Sequence, residues 1–221
     1  MGALGALNVA VYDGWIMEHQ SEPMFRTHHA LRIKGFAPVT TVAEVAGHEI
    51  PTAQQHLEHL RERGHAQFRE ARELWQLTVD GKAAHVVALA ADVARLDRSA
   101  LRRHYEPFLS LNVAFKELCG DWQLRDGVIN DHSDPAYDGA VVARLGEFNA
   151  AAQPIVGAFA LTLTRFSGYG PRLAETYRKV VMGETKMLTG VMCGSYHDVW
   201  MELHEDLILT QGIDRTEEGS F

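Results

Sequence analysis

Residues 48–81 contain the pattern that most limits how this chain can fold. A segment with a narrow apolar stripe, 51–63, ends at Gly64, and two short segments with alternating side chains, 65–70 and 73–79, follow without a linker. Apolar side chains every three to four residues predict a helix, whereas alternation predicts strands. The two residues between the alternating segments leave room only for a tight hairpin. The chain is therefore predicted to pass from a helix directly into a β-hairpin.

Two further short helices are predicted before this pattern. Residues 24–34 carry apolar side chains at helical spacing and are followed by a glycine, which commonly ends a helix. Residues 42–46 are predicted to form the second helix, with Thr40 or Thr41 as its cap and Gly47 as its end. Three short helices thus precede the hairpin.

Behind the hairpin, Asp80 is predicted to cap a long helix that continues from Gly81 to Leu96. The order helix, helix, helix, hairpin, helix is that of a winged helix-turn-helix. The remainder reads as nearly all helix, with one long segment expected to break near Pro154.

The predicted fold class is therefore mainly α, with three units. Residues 1–23 are an N-terminal arm, residues 24–98 are the winged helix-turn-helix of three helices plus a β-hairpin wing, and residues 99–221 are an all-helical C-terminal domain.

Charge and composition narrow the class of partner. The net charge is -8, and most of the excess acid lies after residue 98, so a uniformly basic coat for nucleic acid or membrane is not expected. Only Cys119 and Cys193 occur, without a paired spacing, and no apolar run is long enough to span a bilayer. The first residues lack the basic start of a signal peptide. A cytoplasmic protein with no membrane partner is predicted.

A helix that enters the major groove of DNA needs an apolar seam toward its own domain and short polar side chains toward the bases. In the helix at 51–63, the seam consists of Ala53, Leu57 and Leu60, and the other sides carry glutamine, threonine and histidine. Glutamine can form two hydrogen bonds with adenine, and arginines in the hairpin can hold phosphates or enter the minor groove. The predicted DNA-binding residues are Thr52, Gln54, Gln55, His59, Arg69 and Arg72.

Two alternatives remain open for the same residues. They can form the solvated face of an ordinary surface helix, or a surface that binds another protein. Glu58, Glu62, Glu70 and Glu73 lie in or beside the predicted footprint, and residues 26–82 carry 8 basic against 7 acidic side chains. We therefore expect modest and strongly salt-dependent non-specific binding to DNA.

The stretch TTVAEVAGHEIPTAQQHLEHLRERGHAQFRE, followed by WQLTVDGKA, resembles the DNA-binding core of MarR-like winged-helix transcription regulators. The resemblance covers roughly residues 24–97, although the hairpin is shorter and the helical part that follows is longer than in those regulators. It implies a homodimer that binds a palindromic operator in double-stranded DNA and represses or activates transcription. The similar pieces are the Leu60-x-x-x-Gly64 helix end, the strand after it, and the Leu77-Thr78-x-x-Gly81 entry into the next helix.

The helical half is larger than a dimer clasp requires, so a small-molecule effector site is predicted there. The same aromatic side chains can equally form ordinary core. The candidate pocket walls are Phe115, Trp122, Phe166, Tyr196 and Trp200. An effector bound there would change the separation of two recognition helices, which must be about 34 Å apart to enter successive major grooves.

Histidines and carboxylates in the second half raise the question of a metal, but no metal site is predicted. His197 and His204 lie two turns apart on one helix, roughly 10 Å along its axis, and cannot share an ion. His132 lies between Asp131 and Asp134, where capping and hydrogen bonding are the expected roles. No phosphate loop, dinucleotide fingerprint, nucleophile elbow or zincin helix is present, so neither catalytic residues nor a cofactor are predicted. A small-molecule enzyme in the helical domain, with acid-base chemistry by the carboxylates and histidines of WMELHEDL, is the less favoured alternative.

Overall fold

The computed structural model describes residues 19–94 and 96–214, and the predicted arm 1–23 lies outside it except for its last residues. The described chain is mainly helical, with a small antiparallel sheet near its start and a two-stranded ribbon further on. The helices are α1 (Pro23–Lys34), α2 (Val39–Ala46), α3 (Ile50–Glu62), α4 (Val79–Asp92), α5 (Arg98–Gln123), α6 (Pro135–Thr162), α7 (Tyr169–Val181), α8 (Lys186–Thr189) and α9 (Tyr196–Gln211).

The three predicted helices and the hairpin occur in the predicted order. The hairpin consists of β2 (Ala66–Arg69) and β3 (Leu74–Leu77), joined by a 3-10 turn at Glu70–Arg72. A third strand, β1 (Phe36–Ala37), pairs with β3, so the strand order in the sheet is β1-β3-β2. The sequence did not predict β1, because two residues are too few to show an alternating pattern.

The boundaries of two helices differ from the predicted ones. Helix α2 begins at Val39, so Thr40 and Thr41 lie inside it and do not cap it. The cap of α4 is Thr78, whose hydroxyl accepts from the Gly81 amide at 2.9 Å, and not Asp80. A short polar side chain caps a helix from the position just before its first turn, and Asp80 already lies in that turn.

Helix α4 also ends at Asp92, four residues before the predicted end at Leu96, and α5 begins at Arg98 after a short turn. The predicted continuation of this helix to Leu96 is therefore wrong.

The helical half contains two departures from the prediction. Helix α6 continues through Pro154 and does not break there. Between α5 and α6, strands β4 (Leu124–Arg125) and β5 (Val128–Ile129) form a two-stranded hairpin, so this half is not all helical. Asp126 and Gly127 have positive φ angles of 52° and 80°, as the two central residues of a tight hairpin turn require.

The buried apolar side chains form separate clusters. The cluster of the N-terminal half includes Leu31, Val42, Leu57 and Trp75, from α1, α2, α3 and β3. A larger cluster joins α5, α6, α7 and α9 and contains most of the buried aromatic rings. A third, small cluster lies between α1 and α4.

Within the described part of the chain, no helix combines the length and the apolar character that crossing a bilayer would need.

Candidate functional site

Helix α3 is held on the N-terminal half by the predicted seam. Ala53, Leu57 and Leu60 are buried, and Gly64 takes a φ of 73° where the chain turns into β2. On a neighbouring side of α3, Thr27 Oγ1 lies 2.8 Å from His56 Nδ1 and ties the helix to α1. These contacts fix which side of α3 faces solvent.

The four residues predicted to read DNA from α3 lie outside that seam. Gln55 and His59 are exposed, and Thr52 and Gln54 are partly exposed. None of them is packed inside the described chain, so the helix presents a polar face from its first turn to its last.

Gln54 is engaged by a neighbour on its own helix. Its Nε2 donates to Glu58 Oε1 at 2.8 Å, and Arg61 Nη2 lies 2.6 Å from the other oxygen of the same carboxylate. The guanidinium of Arg61 also lies over the Trp75 ring, 5.9 Å from its centroid. The negative charge of Glu58, which opposes contact with phosphate, is thus partly offset by Arg61.

The β2–β3 hairpin carries the two predicted arginines at its tip. Arg69 and Arg72 are exposed, and neither forms an ion pair with any residue in 19–94 or 96–214. Below them Phe68 packs on Trp75, with ring centroids 5.2 Å apart, which anchors the hairpin to the core. Glu70 and Glu73 are exposed beside the arginines, so the tip of the hairpin has no net charge.

The five aromatic residues predicted as walls of an effector pocket lie in the core instead. Phe115, Phe166, Tyr196 and Trp200 are fully buried, and Trp122 is nearly so. Two of them already use their polar atoms internally, since Trp200 Nε1 donates to Asn112 Oδ1 at 3.0 Å and the Tyr196 hydroxyl donates to Asn149 Oδ1 at 3.2 Å. None of the five lines either of the cavities described next.

The main cavity is an open cleft of about 1010 Å³ between the two halves. One wall comes from the end of α1, from β1 and from α2, and the other from α7, the segment before α9, and α9 itself. Glu202 bridges the walls, because its carboxylate oxygens lie 2.5 Å from Lys34 Nζ and 2.7 Å from Arg172 Nη2. Met187, Met192 and Met201 supply flexible apolar lining.

A buried cluster of charged side chains lies deeper between the halves, beside a second cavity of about 80 Å³. Arg165 Nη1 lies 2.8 Å from Asp92 Oδ2 on α4, and its Nη2 lies 3.1 Å from Asp206 Oδ1 on α9. His29 on α1 lies between Asp206, 3.0 Å from its Nε2, and His85 Nε2 on α4, 2.9 Å from its Nδ1. We call Asp92, Arg165, Asp206, His29 and His85 the buried ion cluster.

The pKa values of two members are both lowered, which leaves one side chain neutral and the other charged. Desolvation, with a further contribution from neighbouring His29, lowers the pKa of His85 to about 2, so its ring is neutral in the folded protein. Desolvation raises the pKa of Asp206, but the stronger combined effect of Arg165, His29 and Thr210 leaves it below its ordinary value. Asp206 is therefore a charged carboxylate held by cationic and hydroxyl donors.

The buried ion cluster was not predicted from the sequence, although one signal for it is present there. Asp206 follows Val199 and Leu203 at helical spacing, so it occupies a core position of α9. A carboxylate at such a position requires a buried partner. The partner, Arg165, could not be found from spacing, because it lies in a separate 3-10 segment, Thr164–Gly168.

The residues considered for metal binding have structural partners. His132 Nδ1 lies 3.0 Å from Asp138 Oδ2, and its ring packs on Trp122 with centroids 4.5 Å apart. Asp134 caps α6 by accepting from two backbone amides of its first turn. Over 19–94 and 96–214, no group of three histidine, cysteine, aspartate or glutamate side chains is placed to hold an ion.

Comparison with known proteins does not add to this description. No protein-family model matches the chain, and searches of curated proteins and of solved structures find no match either.

Proposed function

We propose that the chain is a DNA-binding transcription regulator whose N-terminal half is a winged helix. In this proposal α3 is the recognition helix in the major groove, and the β2–β3 hairpin is a short wing on the DNA backbone. The observation that carries the proposal is the exposure of polar and basic side chains on α3 and on the hairpin that directly follows it. On α3, Gln55 and His59 are exposed outside the buried seam, and the arginines at the hairpin tip have no ion-pair partner among the described residues.

Each residue has a role set by its exposure. Gln55 is free to pair with an adenine, whereas Gln54 must first release Glu58. Thr52 and His59 lie near it, toward opposite ends of the helix. Arg69 and Arg72 contact phosphates, which gives affinity without sequence preference.

We place the effector site of this regulator in the cleft between the halves. A molecule bound there contacts α2 on one side and α9 on the other, and it competes with the ion pairs that Glu202 forms. In the same proposal the protein is a cytoplasmic homodimer, because a palindromic operator is read by two copies.

The salt dependence of binding to a generic DNA duplex tests the wing assignment. The Arg69→Ala/Arg72→Ala variant should lower the slope of log affinity against log salt by about 2, since each arginine replaces about one counterion. Arg103→Ala removes an equally exposed arginine from α5 and should leave the slope unchanged. No binding by the wild-type chain at low salt, or equal slopes for all three proteins, would reject the proposal.

A protein-binding module is the second candidate, favoured by the exposed Glu62, Glu70 and Glu73 around the same face. The variant Gln54→Ala/Gln55→Ala/Arg72→Ala separates the two functions. Loss of DNA retention with unchanged capture of protein partners supports the regulator, and the reverse result supports the protein-binding module.

A further inference from the structure

Helix α4 presents an apolar face to solvent on the side opposite its buried residues. Val79, Val86 and Val87 are 84%, 66% and 71% exposed. The other members of the face are exposed alanines: Ala83 and Ala90 on α4, and Ala94 in the turn that directly follows the helix. Apolar faces of this kind on a helix usually contact another protein surface, because burying each valine contributes about 1.5 kcal/mol or more. We call these six residues the α4 face.

The α4 face is nearly free of charge. Asp80 and Lys82 are the exposed charged residues of α4, and both lie in its first turn. Asp92, at the other end, is engaged by Arg165 in the buried ion cluster. A partner that is recognised through charge therefore has little to bind here, whereas a second apolar helix fits.

The spacing of the α4 face is self-complementary. Val86 and Val87 flank its midpoint, Ala83 and Ala90 are equidistant from it, and so are Val79 and Ala94 at the two ends. In an antiparallel pair of identical helices, each position therefore faces its counterpart across a twofold axis. Ala83 then meets Ala90, so the helices can approach to about 8 Å, and Val79 meets the smaller Ala94.

We propose that α4 of one chain packs antiparallel on α4 of a second copy, with the twofold axis between Val86 and Val87. The face runs about 22 Å at 1.5 Å per residue, so a helix pair alone covers less than the roughly 800 Å² per partner of a standard stable interface. The dimer should accordingly be reversible, with a dissociation constant in the micromolar range.

The dimer itself does not depend on DNA binding, but its role rests on the proposed function. Antiparallel packing places the two Val79 residues about 22 Å apart along the helices, at opposite ends of the pair. The hairpin of each copy joins α4 at this end, since β3 leads directly into α4. Two recognition helices at opposite ends of a twofold pair is the arrangement that successive major grooves require.

Sedimentation or light scattering of the full chain from about 1 to 100 µM tests the proposal. The wild-type chain should pass from monomer to dimer in this range, and Val86→Glu, which places a charge beside the axis opposite Val87 of the other copy, should weaken the dimer at least tenfold. Val113→Glu is the matched control, because Val113 is 58% exposed on α5 and should leave the dimer unchanged. A wild-type monomer at every concentration, or a dimer that Val86→Glu does not weaken, overturns the proposal.

Disulfide cross-linking tests how the two α4 helices are aligned, because a covalent dimer forms only where two introduced cysteines lie close together. Under oxidation Val86→Cys should give a covalent dimer, because the two copies of this position lie about 1.5 Å apart along the axis. Ala83→Cys should not, since its copies are separated by about 10 Å along the axis. Equal cross-linking of both variants would indicate parallel helices and overturn the antiparallel pairing. None of these outcomes alters the salt-slope test of DNA binding, so the two proposals can fail separately.

Discussion

At the scale of single residues, the neutral state of two buried histidines makes the stability of the protein depend on pH. His28 and His85 are 5% and 1% exposed, and desolvation is the main reason that both pKa values fall below the ordinary 6.5. These two histidines therefore bind protons in the unfolded chain at pH values where they do not in the folded chain. Their contribution to stability is complete above about pH 6.5 and is lost as the pH falls below it.

The free energy of unfolding should accordingly decrease between pH 7.5 and 5.5, by up to about 1.4 kcal/mol per pH unit for each histidine below its unfolded pKa. His85→Gln keeps an acceptor for His29 but cannot titrate, so its decrease should be smaller than that of the wild type. Urea unfolding at the two pH values measures the difference. His59→Gln, at an exposed position, should retain the wild-type decrease. An identical pH response in His85→Gln would contradict the role of His85.

The sequence allowed only part of the residue-level description. The seam of α3 and the exposed positions of Gln55 and His59 follow from helical spacing, which depends on local geometry alone. The partners of His29 and Asp206 do not, because a buried polar side chain is satisfied by whichever element packs against it. The aromatic residues of the helical half illustrate the same limit, since spacing cannot distinguish a core ring from a pocket wall.

At the scale of elements, the entry into α4 is the tightest contact with the hairpin. A Cβ added to Gly81 would lie 1.8 Å from the carbonyl oxygen of His65, at the start of the strand segment. The Gly81 carbonyl also accepts from His28 Nε2 at 2.9 Å. Glycine at this position therefore lets α1, α4 and the hairpin meet.

Gly81→Ala should lower the free energy of unfolding by at least about 3 kcal/mol, because the clash is with backbone and cannot be relieved by a side-chain rotation. Gly139→Ala is the matched control. It also changes a helical glycine, but nothing lies within 4 Å of the added Cβ, so it should be neutral or stabilising by up to about 1 kcal/mol. Thermal unfolding of both variants gives the comparison, and a Gly81→Ala protein as stable as the control would contradict the close approach.

The elements that the sequence predicted well are those with a strong local pattern. Helices α1 and α3 and the β2–β3 hairpin carry apolar periodicity together with a proline near the start or a glycine at the end. The predicted break at Pro154 is wrong, because the packing of α6 along α5 maintains the helix across the hydrogen bond that proline cannot form. In this packing the rings of Phe115 and Phe148 stack with centroids 5.0 Å apart. The β4–β5 hairpin could have been predicted from Asp126 and Gly127, because an Asp-Gly pair is typical of a tight hairpin turn. The prediction of an all-helical domain did not take this pair into account.

At the scale of the whole molecule, the two halves are joined through side chains and not through one continuous helix. The buried ion cluster links α1 and α4 of the first half to α9 and the 3-10 segment of the second. Ion pairs between more exposed groups, such as Arg32 with Glu205 at 3.1 Å, extend this contact toward the cleft.

Arg165→Gln should destabilise the protein by about 3–5 kcal/mol, because it leaves the buried carboxylates of Asp92 and Asp206 without their cation. Arg144→Gln removes a surface ion pair with Asp121 and should change stability by less than about 1 kcal/mol. Calorimetry of both variants provides the comparison. If the two variants unfold at the same temperature, the cluster does not hold the halves together.

The central claim, that α3 and the hairpin read DNA, is tested most directly by selection from the genomic DNA of the source organism. Fragments retained by the full chain are sequenced and compared with those retained by a Gln55→Ala/His59→Ala variant, which changes only exposed side chains of α3. The wild-type chain should enrich fragments that share a short inverted repeat, and the variant should lose this enrichment. Retained fragments that match the genomic background, or the same enrichment with both proteins, would contradict it.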